Sequence, residues 1–179
     1  FNKGKWYVEA DVDNIGPGSD NWMFGITTKL SESTSQRMGD DALSIALRNN
    51  GQYKTNGSST NHGASFAAGT IAMLAIDLDN KNIYFGNNGQ WMDGRGNTDE
   101  ANPASAVSIS GLFSDLYDVA FVAFGDATGS GGAKAKMNFG SPTFAISSSQ
   151  QDANGYGNFE YTPPSGYYAM CTKNINLYG

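Results

Sequence analysis

Asp77-Leu-Asp-Asn-Lys-Asn-Ile-Tyr-Phe-Gly-Asn-Asn-Gly-Gln-Trp91 is the stretch of sequence that decides the fold, and the apolar segment Ile71–Ile76 precedes it. Asn and Gly tolerate the positive φ that two-residue hairpin turns need, so both polar clusters in this stretch predict tight reversals. The predicted order is strand, turn, strand, a second turn at Asn88-Gly89 and then an exposed Trp91. A double hairpin of this kind predicts an all-β sandwich that presents loops, which suits binding better than chemistry.

The composition of the chain indicates one domain rich in turns. Its 179 residues fit a single domain with a substantial core. Gly (23), Asn (18) and Ser (18) make up a third of the chain, which predicts many short strands rather than long helices. Because the sequence begins at Phe1 rather than Met and ends abruptly, we expect residues 1–179 to be a segment of a longer polypeptide or a processed polypeptide.

The net charge of -6 argues against several kinds of partner. Neighbouring basic residues such as Lys134 and Lys136 form no stripe that could neutralise phosphates, so we expect no nucleic acid partner. No apolar run approaches the roughly 18 residues needed to span a membrane, so we expect no membrane insertion. Cys171 is the only cysteine, which excludes an internal disulfide and is compatible with folding in a cytosol before release.

The segment Lys5–Asp13 alternates between two faces of a predicted strand. One face carries apolar side chains (Trp6, Val8, Ala10 and Val12), and the other carries Tyr7 and three acids. Comparable patterns predict about nine to twelve strands, with no helix longer than a turn or two. The main further predicted strands are residues 22–27, 43–48, 52–54, 71–78, 82–86, 116–124, 133–139 and 167–171, and the long polar loops are residues 31–41, 55–66 and 92–106.

Several of these segments resemble one family in order and spacing. Gly4-Lys-Trp-Tyr-Val-Glu-Ala10 resembles the opening strand of SPRY (B30.2-like) domains, and Ala75–Trp91 resembles their core phrase. Asn138-Phe-Gly140 followed by Phe144 resembles a late strand of the family. Pro164–Asn174 resembles the ending of a bacteriophage branch, in which the domain sits inside larger virion proteins. The resemblance therefore covers nearly the whole chain.

The resemblance implies a bent, antiparallel two-sheet sandwich of the concanavalin-like kind, acting as a recognition or structural module without catalysis. In the family, loops at one edge of the sandwich hold the ligand, and these loops vary. The phage resemblance implies a virion protein such as a tail fibre or capsid decoration, extracellular after synthesis in the host cytoplasm. The implied partners are other virion proteins, a host surface protein or a glycan. Fibre proteins are often trimeric, although no coiled-coil heptads appear.

Three acids on one strand face, Glu9, Asp11 and Asp13, are the best candidates for catalysis. Retaining glucanases on the same sandwich fold resemble this pattern, with a nucleophile and an acid about 5 to 5.5 Å apart. Asp13 is one methylene shorter than the Glu at the corresponding position, which reduces its reach. The competing interpretation is the solvent side of an edge strand, where acids discourage edge-to-edge pairing. A glycan-active hydrolase therefore remains an alternative to a binding module.

Metal and cofactor sites are not predicted. One His and one Cys cannot supply a tetrahedral zinc site. The acidic turn at Asp77–Asn80 departs from the EF-hand pattern, because Lys81 occupies the fifth position. The only histidine, His62, lies in an aperiodic loop without a Gly-x-Ser-x-Gly elbow, which predicts a surface position. The glycine-rich segment 125–132 leads into a strand and offers no helix N-terminus to a phosphate.

Aromatic residues beside the turns are the best candidates for ligand binding. Trp91 follows an Asn-Gly turn and precedes Asp93 and Arg95, a combination that suits sugar stacking or a protein hot spot. The alternative is a Trp that folds back to cap the end of the sandwich. Trp22 is a second candidate, and Tyr53 belongs equally well to the core or to an exposed patch. A purely architectural virion domain without a host ligand would instead bury Trp91 and the loop 92–106 in an assembly.

Overall fold

The computed structural model describes residues 1–17, 20–29, 36–114, 118–127 and 132–179, and they form an all-β fold. A short 3-10 helix (Ser110–Leu112) and one helix, α1 (Thr172–Tyr178), are the helical elements of these residues. The strands are β1 (Lys5–Ile15), β2 (Trp22–Thr27), β3 (Ser44–Arg48), β4 (Gln52–Thr55), β5 (Ser58–Asn61), β6 (Ile71–Asp77), β7 (Asn82–Asn87), β8 (Gln90–Met92), β9 (Thr98–Glu100), β10 (Val107–Ser108), β11 (Phe121–Asp126), β12 (Ala133–Asn138) and β13 (Tyr168–Ala169).

The strands form two stacked sheets, which confirms the predicted β-sandwich. The larger sheet has the order β12-β1-β6-β7-β8-β9, with β10 beside β7 and β13 parallel to β1. The smaller sheet has the order β11-β2-β3-β4-β5, and all its pairs are antiparallel. The predicted double hairpin is confirmed as β6-β7-β8. Its second turn has positive φ at Asn88 (49°) and Gly89 (80°), the combination that a two-residue hairpin requires.

The main core lies between the sheets and uses the predicted apolar face of β1. All four apolar side chains of that face are 0% exposed. They pack with inward-facing side chains from both sheets, including Phe24, Ile45, Leu47, Leu74, Ile76 and Phe85. Alternation along a strand with one buried face explains why the pattern was readable from the sequence.

The opposite face of β1 is buried at Tyr7 and Glu9 and becomes solvent-exposed only at Asp13, and the interpretation of β1 as an edge strand is wrong. β1 lies between β6 on one side and β12 with β13 on the other. Residues 143–179, which we call the C-terminal cover, pack over this face. A second core results, formed by Tyr7, Met73, Ala75, Trp91, Phe159, Tyr167 and Ala169.

A buried carboxylate organises the cover internally. Asp152 accepts hydrogen bonds from the backbone N–H groups of Asn154 (2.9 Å), Tyr156 (3.0 Å) and Ala169 (2.9 Å). It also accepts one from Nδ2 of Asn174 at 2.7 Å, which joins α1 to the same point. A buried charge is tolerated when donors surround it in this way. The cover is therefore an ordered layer with its own polar centre.

Three predicted segments fall partly outside the described residues. The first residues of the predicted strand 116–124 lie outside the described ranges, and β11 begins at Phe121. The loop 31–41 is described only from residue 36, where Met38 packs on the outer side of the smaller sheet. The glycine-rich segment 125–132 is described at its two ends. Within the described ranges, no helix is long and apolar enough to cross a membrane.

Candidate recognition site

The best candidate site is the side of the sandwich where the last strands of both sheets, β5 and β9, meet. The N–H of Gly94 donates to the carbonyl of His62 at 2.9 Å, and the N–H of Ala64 donates to Oγ1 of Thr98 at 3.0 Å. These two bonds join residues 58–64 to residues 93–100, and we call the two segments together the loop edge. Both segments lie within loops predicted from the sequence. They contain strands that the prediction missed, because exposed edge strands show no apolar alternation.

Asp93 organises the hairpin loop between β8 and β9. Its carboxylate accepts hydrogen bonds from the N–H of Arg95 (2.7 Å), the N–H of Asn97 (2.9 Å) and Nδ2 of Asn97 (2.9 Å). The bonds from Asn97 and Arg95 lower the pKa of Asp93 to about 2. The hydroxyl of Ser105 donates to the Asp93 carbonyl at 2.6 Å. Asp93 thus holds the loop in shape, while the side chain of Arg95 is exposed at its tip.

His62 lies beneath this loop and is 5% exposed, so the predicted surface position is wrong. Its ring packs edge-to-face on Tyr53 (centroids 5.4 Å apart) and on Phe85 (5.8 Å). Nε2 has no hydrogen-bond partner among the described residues. Burial lowers the pKa of His62, and the charge of Asp93 and the backbone of Ser105 oppose that shift. The loop edge therefore rests on a buried, neutral imidazole.

We expect the His62 environment to make stability fall in mild acid. Because the pKa of folded His62 lies below its ordinary 6.5, the unfolded chain takes up the proton first. The stabilisation is fully present above pH 6.5 and is lost as the pH falls toward the folded pKa. Thermal unfolding between about pH 7.5 and about pH 5 should show a larger drop in Tm for the wild type than for His62→Gln. Equal drops in both proteins would contradict this assignment.

Trp91 is 4% exposed, so the prediction of an exposed Trp91 is wrong. Its ring packs edge-to-face against Tyr7 with centroids 6.4 Å apart, within the core beneath the C-terminal cover. The pairing of Trp91 with Gly86 and Glu100 directs its side chain to this outer face of the larger sheet. Trp91 instead folds back onto the sandwich, which is the other interpretation that the sequence allowed.

Trp22 and Tyr53 occupy different places relative to the loop edge. Trp22 is 0% exposed and packs between Phe24, Phe66 and Phe124 in the main core. Tyr53 is half-buried and stacks on Phe85 below the loop edge. Tyr53 thus belongs partly to the core and partly to the exposed surface, the two positions that the sequence left open. Trp22 and Trp91 are packing residues in this structure.

The acidic trio on β1 is divided between two structural roles, and the first belongs to Glu9. Glu9 is 0% exposed. Its carboxylate accepts hydrogen bonds from the Tyr7 hydroxyl (2.9 Å), Nδ2 of Asn138 (3.0 Å) and the N–H groups of Glu160 (3.0 Å) and Tyr161 (2.8 Å). Burial raises the pKa of Glu9, and these hydrogen bonds oppose the shift. Glu9 therefore fastens the cover to β1.

The other two acids of the trio face a lysine on the neighbouring strand. Nζ of Lys136 lies 3.3 Å from Asp11 and 3.0 Å from Asp13. Both carboxylates raise the pKa of this lysine, with Asp13 first through its hydrogen bond. Exposed pairs of this kind contribute little to stability. In this arrangement Glu9 is enclosed below the cover, and the two aspartates pair with Lys136 at the surface.

One family comparison accounts for the architecture. The model of the SPRY domain family matches residues 5–142, which run from the start of β1 to just beyond β12. The match includes the loop edge and Glu9, and the C-terminal cover follows it. SPRY domains generally mediate protein–protein interaction and are not typically catalytic. The chain belongs to the SPRY domain family.

Proposed function

We propose that this domain is a non-catalytic recognition module that binds a protein partner through the loop edge. The observation that carries the proposal is a loop held rigid from within, whose tip side chain is exposed. All the polar side chains of Ser58–Asn61 are exposed, as are Asp99 and Glu100. A preorganised surface loses less conformational entropy on binding, which favours affinity. Loops on a rigid scaffold are a common place for recognition.

We place the domain in a phage virion, where its partner is another virion protein or a host surface protein. This setting is supported by the resemblance of Pro164–Asn174 to the bacteriophage branch of the family. In the fold, these residues form β13 and the start of α1 within the C-terminal cover. The parent protein would then display the loop edge on the outside of a particle, as one copy or as a trimer.

Arg95→Glu should weaken partner binding while leaving the fold intact, because Arg95 is exposed and makes no ion pair with another described residue. We expect a loss of at least about tenfold in affinity for peptides selected on an array, as is usual for a hot-spot arginine. Lys134→Glu is the matched control, because it makes the same charge change on β12, at the opposite side of the sandwich.

The array experiment also separates the remaining candidates. Binding to glycans but not to peptides would indicate that the ligand is a sugar and not a protein. Equal binding by the wild type, Arg95→Glu and Lys134→Glu would show that the loop edge is not the binding site. An absence of specific binding on both peptide and glycan arrays would contradict the recognition function and support an architectural role.

A further inference from the structure

β5 is an edge strand without the usual protection against pairing. Natural edge strands carry charges, Pro or bulges that prevent another strand from adding to them. Two other edges of the sandwich follow this rule: β9 carries Asp99 and Glu100, and β12 carries Lys134 and Lys136. β5 reads Ser-Ser-Thr-Asn, is exposed at every position and pairs with β4 without a register shift.

The turn before β5 determines which of its backbone groups are open. Asn56 and Gly57 have φ of 48° and 75°, as in a two-residue type I′ hairpin, so Thr55 and Ser58 form the hydrogen-bonded closing pair. Antiparallel pairs alternate between hydrogen-bonded and non-bonded. Ser58 and Thr60 therefore bond to β4. The N–H of His62, two residues further on, donates to the carbonyl of Gly51 at 3.1 Å, in agreement with this alternation.

The same alternation directs the N–H and C=O groups of Ser59 and Asn61 away from β4. The sheet order ends at β5 in the part of the chain that the structure describes. Two residues at this spacing offer the four ladder groups that one added antiparallel strand uses. The loop around Arg95 lies beside the end of this strand, since Gly94 bonds to His62.

Charge indicates which kind of strand fits. Asp99 and Glu100 are exposed on β9, which adjoins residues 62–64 through the bond from Ala64 to Thr98, and neither acid has an ion pair with a described residue. A second copy of the chain pairing through β5 would bring two such acidic strands together, in a protein whose net charge is already -6. Opposite charge instead favours a partner strand that carries Lys or Arg.

We propose that β5 accepts an extended basic segment of a partner protein as a sixth strand of the smaller sheet, through the backbone groups of Ser59 and Asn61. This rests on the proposed function and specifies how the loop edge holds its partner. The backbone ladder would provide affinity, the acids of β9 would select for Lys or Arg in the added strand, and Arg95 would contact the partner beyond that strand.

The test uses an acetylated, amidated peptide of alternating lysine and threonine, titrated into the ¹⁵N-labelled protein to about 1 mM. The amide signals of Ser59 and Asn61 should shift most and gain protection from hydrogen exchange. Ser59→Pro should weaken binding at least about tenfold, because proline lacks the open N–H and is tolerated in an edge strand. Ser59→Ala keeps the N–H and should bind like the wild type.

Peptides with N-methyl groups at alternate positions keep the test decisive if Ser59→Pro fails to fold. Two peptides are compared, one methylated at the odd-numbered backbone nitrogens and one at the even-numbered backbone nitrogens. Only one of the two should lose binding, because the N–H groups of only one set face β5. Absence of shifts at 1 mM, equal effects of both sets, or concentration-dependent dimers in sedimentation would overturn the proposal. If array peptides bind in an Arg95-dependent way but Ser59→Pro has no effect, the recognition function stands and strand addition fails.

Discussion

Glu9→Ala should lower the free energy of unfolding by about 4 kcal/mol, the largest effect we expect from one substitution outside the main core. The substitution leaves four donors without their acceptor, two of them backbone N–H groups of the C-terminal cover. Buried unsatisfied donors cost about 1–3 kcal/mol each before relaxation. Urea unfolding monitored by tryptophan fluorescence would measure the change, with Trp91 reporting from beneath the cover.

Asp13→Ala is the matched control for Glu9→Ala, since Asp13 lies on the same strand face but is 40% exposed. We expect it to cost less than about 1 kcal/mol. If both substitutions had equal effects, Glu9 would not fasten the cover. Polysaccharide cleavage that disappears in a folded Glu9→Gln protein would instead support the hydrolase alternative.

Trp22→Ala should destabilise the domain by about 4 kcal/mol, in the range measured for large aromatic truncations in cores. Trp22 is completely buried, and its ring contacts three aromatic rings with centroids 5.5 to 5.7 Å away. Its Nε1 also donates to the carbonyl of Lys134 at 3.1 Å, so the truncation also removes a partly buried hydrogen bond. The same urea experiment measures the loss.

Two further variants test the interpretation of Trp22. Trp22→Phe keeps most of the ring contacts and should cost about half as much. Phe121→Ala, at a ring that is 37% exposed, should cost less than about 1 kcal/mol. A Trp22→Ala protein with unchanged stability and lost partner binding would return Trp22 to the candidate site.

The main core was predictable because its strands have one buried face. Trp6, Val8, Ala10 and Val12 alternate with polar residues, and that period is visible without any partner strand. The other face of β1 was not predictable. Its acids suggest solvent, whereas Glu160 and Tyr161, more than 150 positions away, supply the donors that bury Glu9. A contact of such sequence separation leaves no local pattern.

The candidate site was predictable in part. Asp93 and Arg95 stood out through their position after an Asn-Gly turn, and the structure places both at the loop edge. The burial of Trp91 depends on the cover, which residue type alone does not indicate. β5 lies in a segment without apolar period, yet the dipeptide Asn56-Gly57 is a strong hairpin signal that would have revealed it.

The position of β1 in the larger sheet determines when its pairing can be completed during synthesis of the chain. β1 is made first, but its neighbours β6, β12 and β13 follow only from residue 71 onward, and the last arrives at residues 168–169. On a ribosome, this strand would remain unpaired until β6 has been made, and its other edge would stay open until β12 and β13 follow. Pairing over such distances slows folding, so that open edge would be accessible to chaperones, or to aggregation, until translation of the domain is nearly finished.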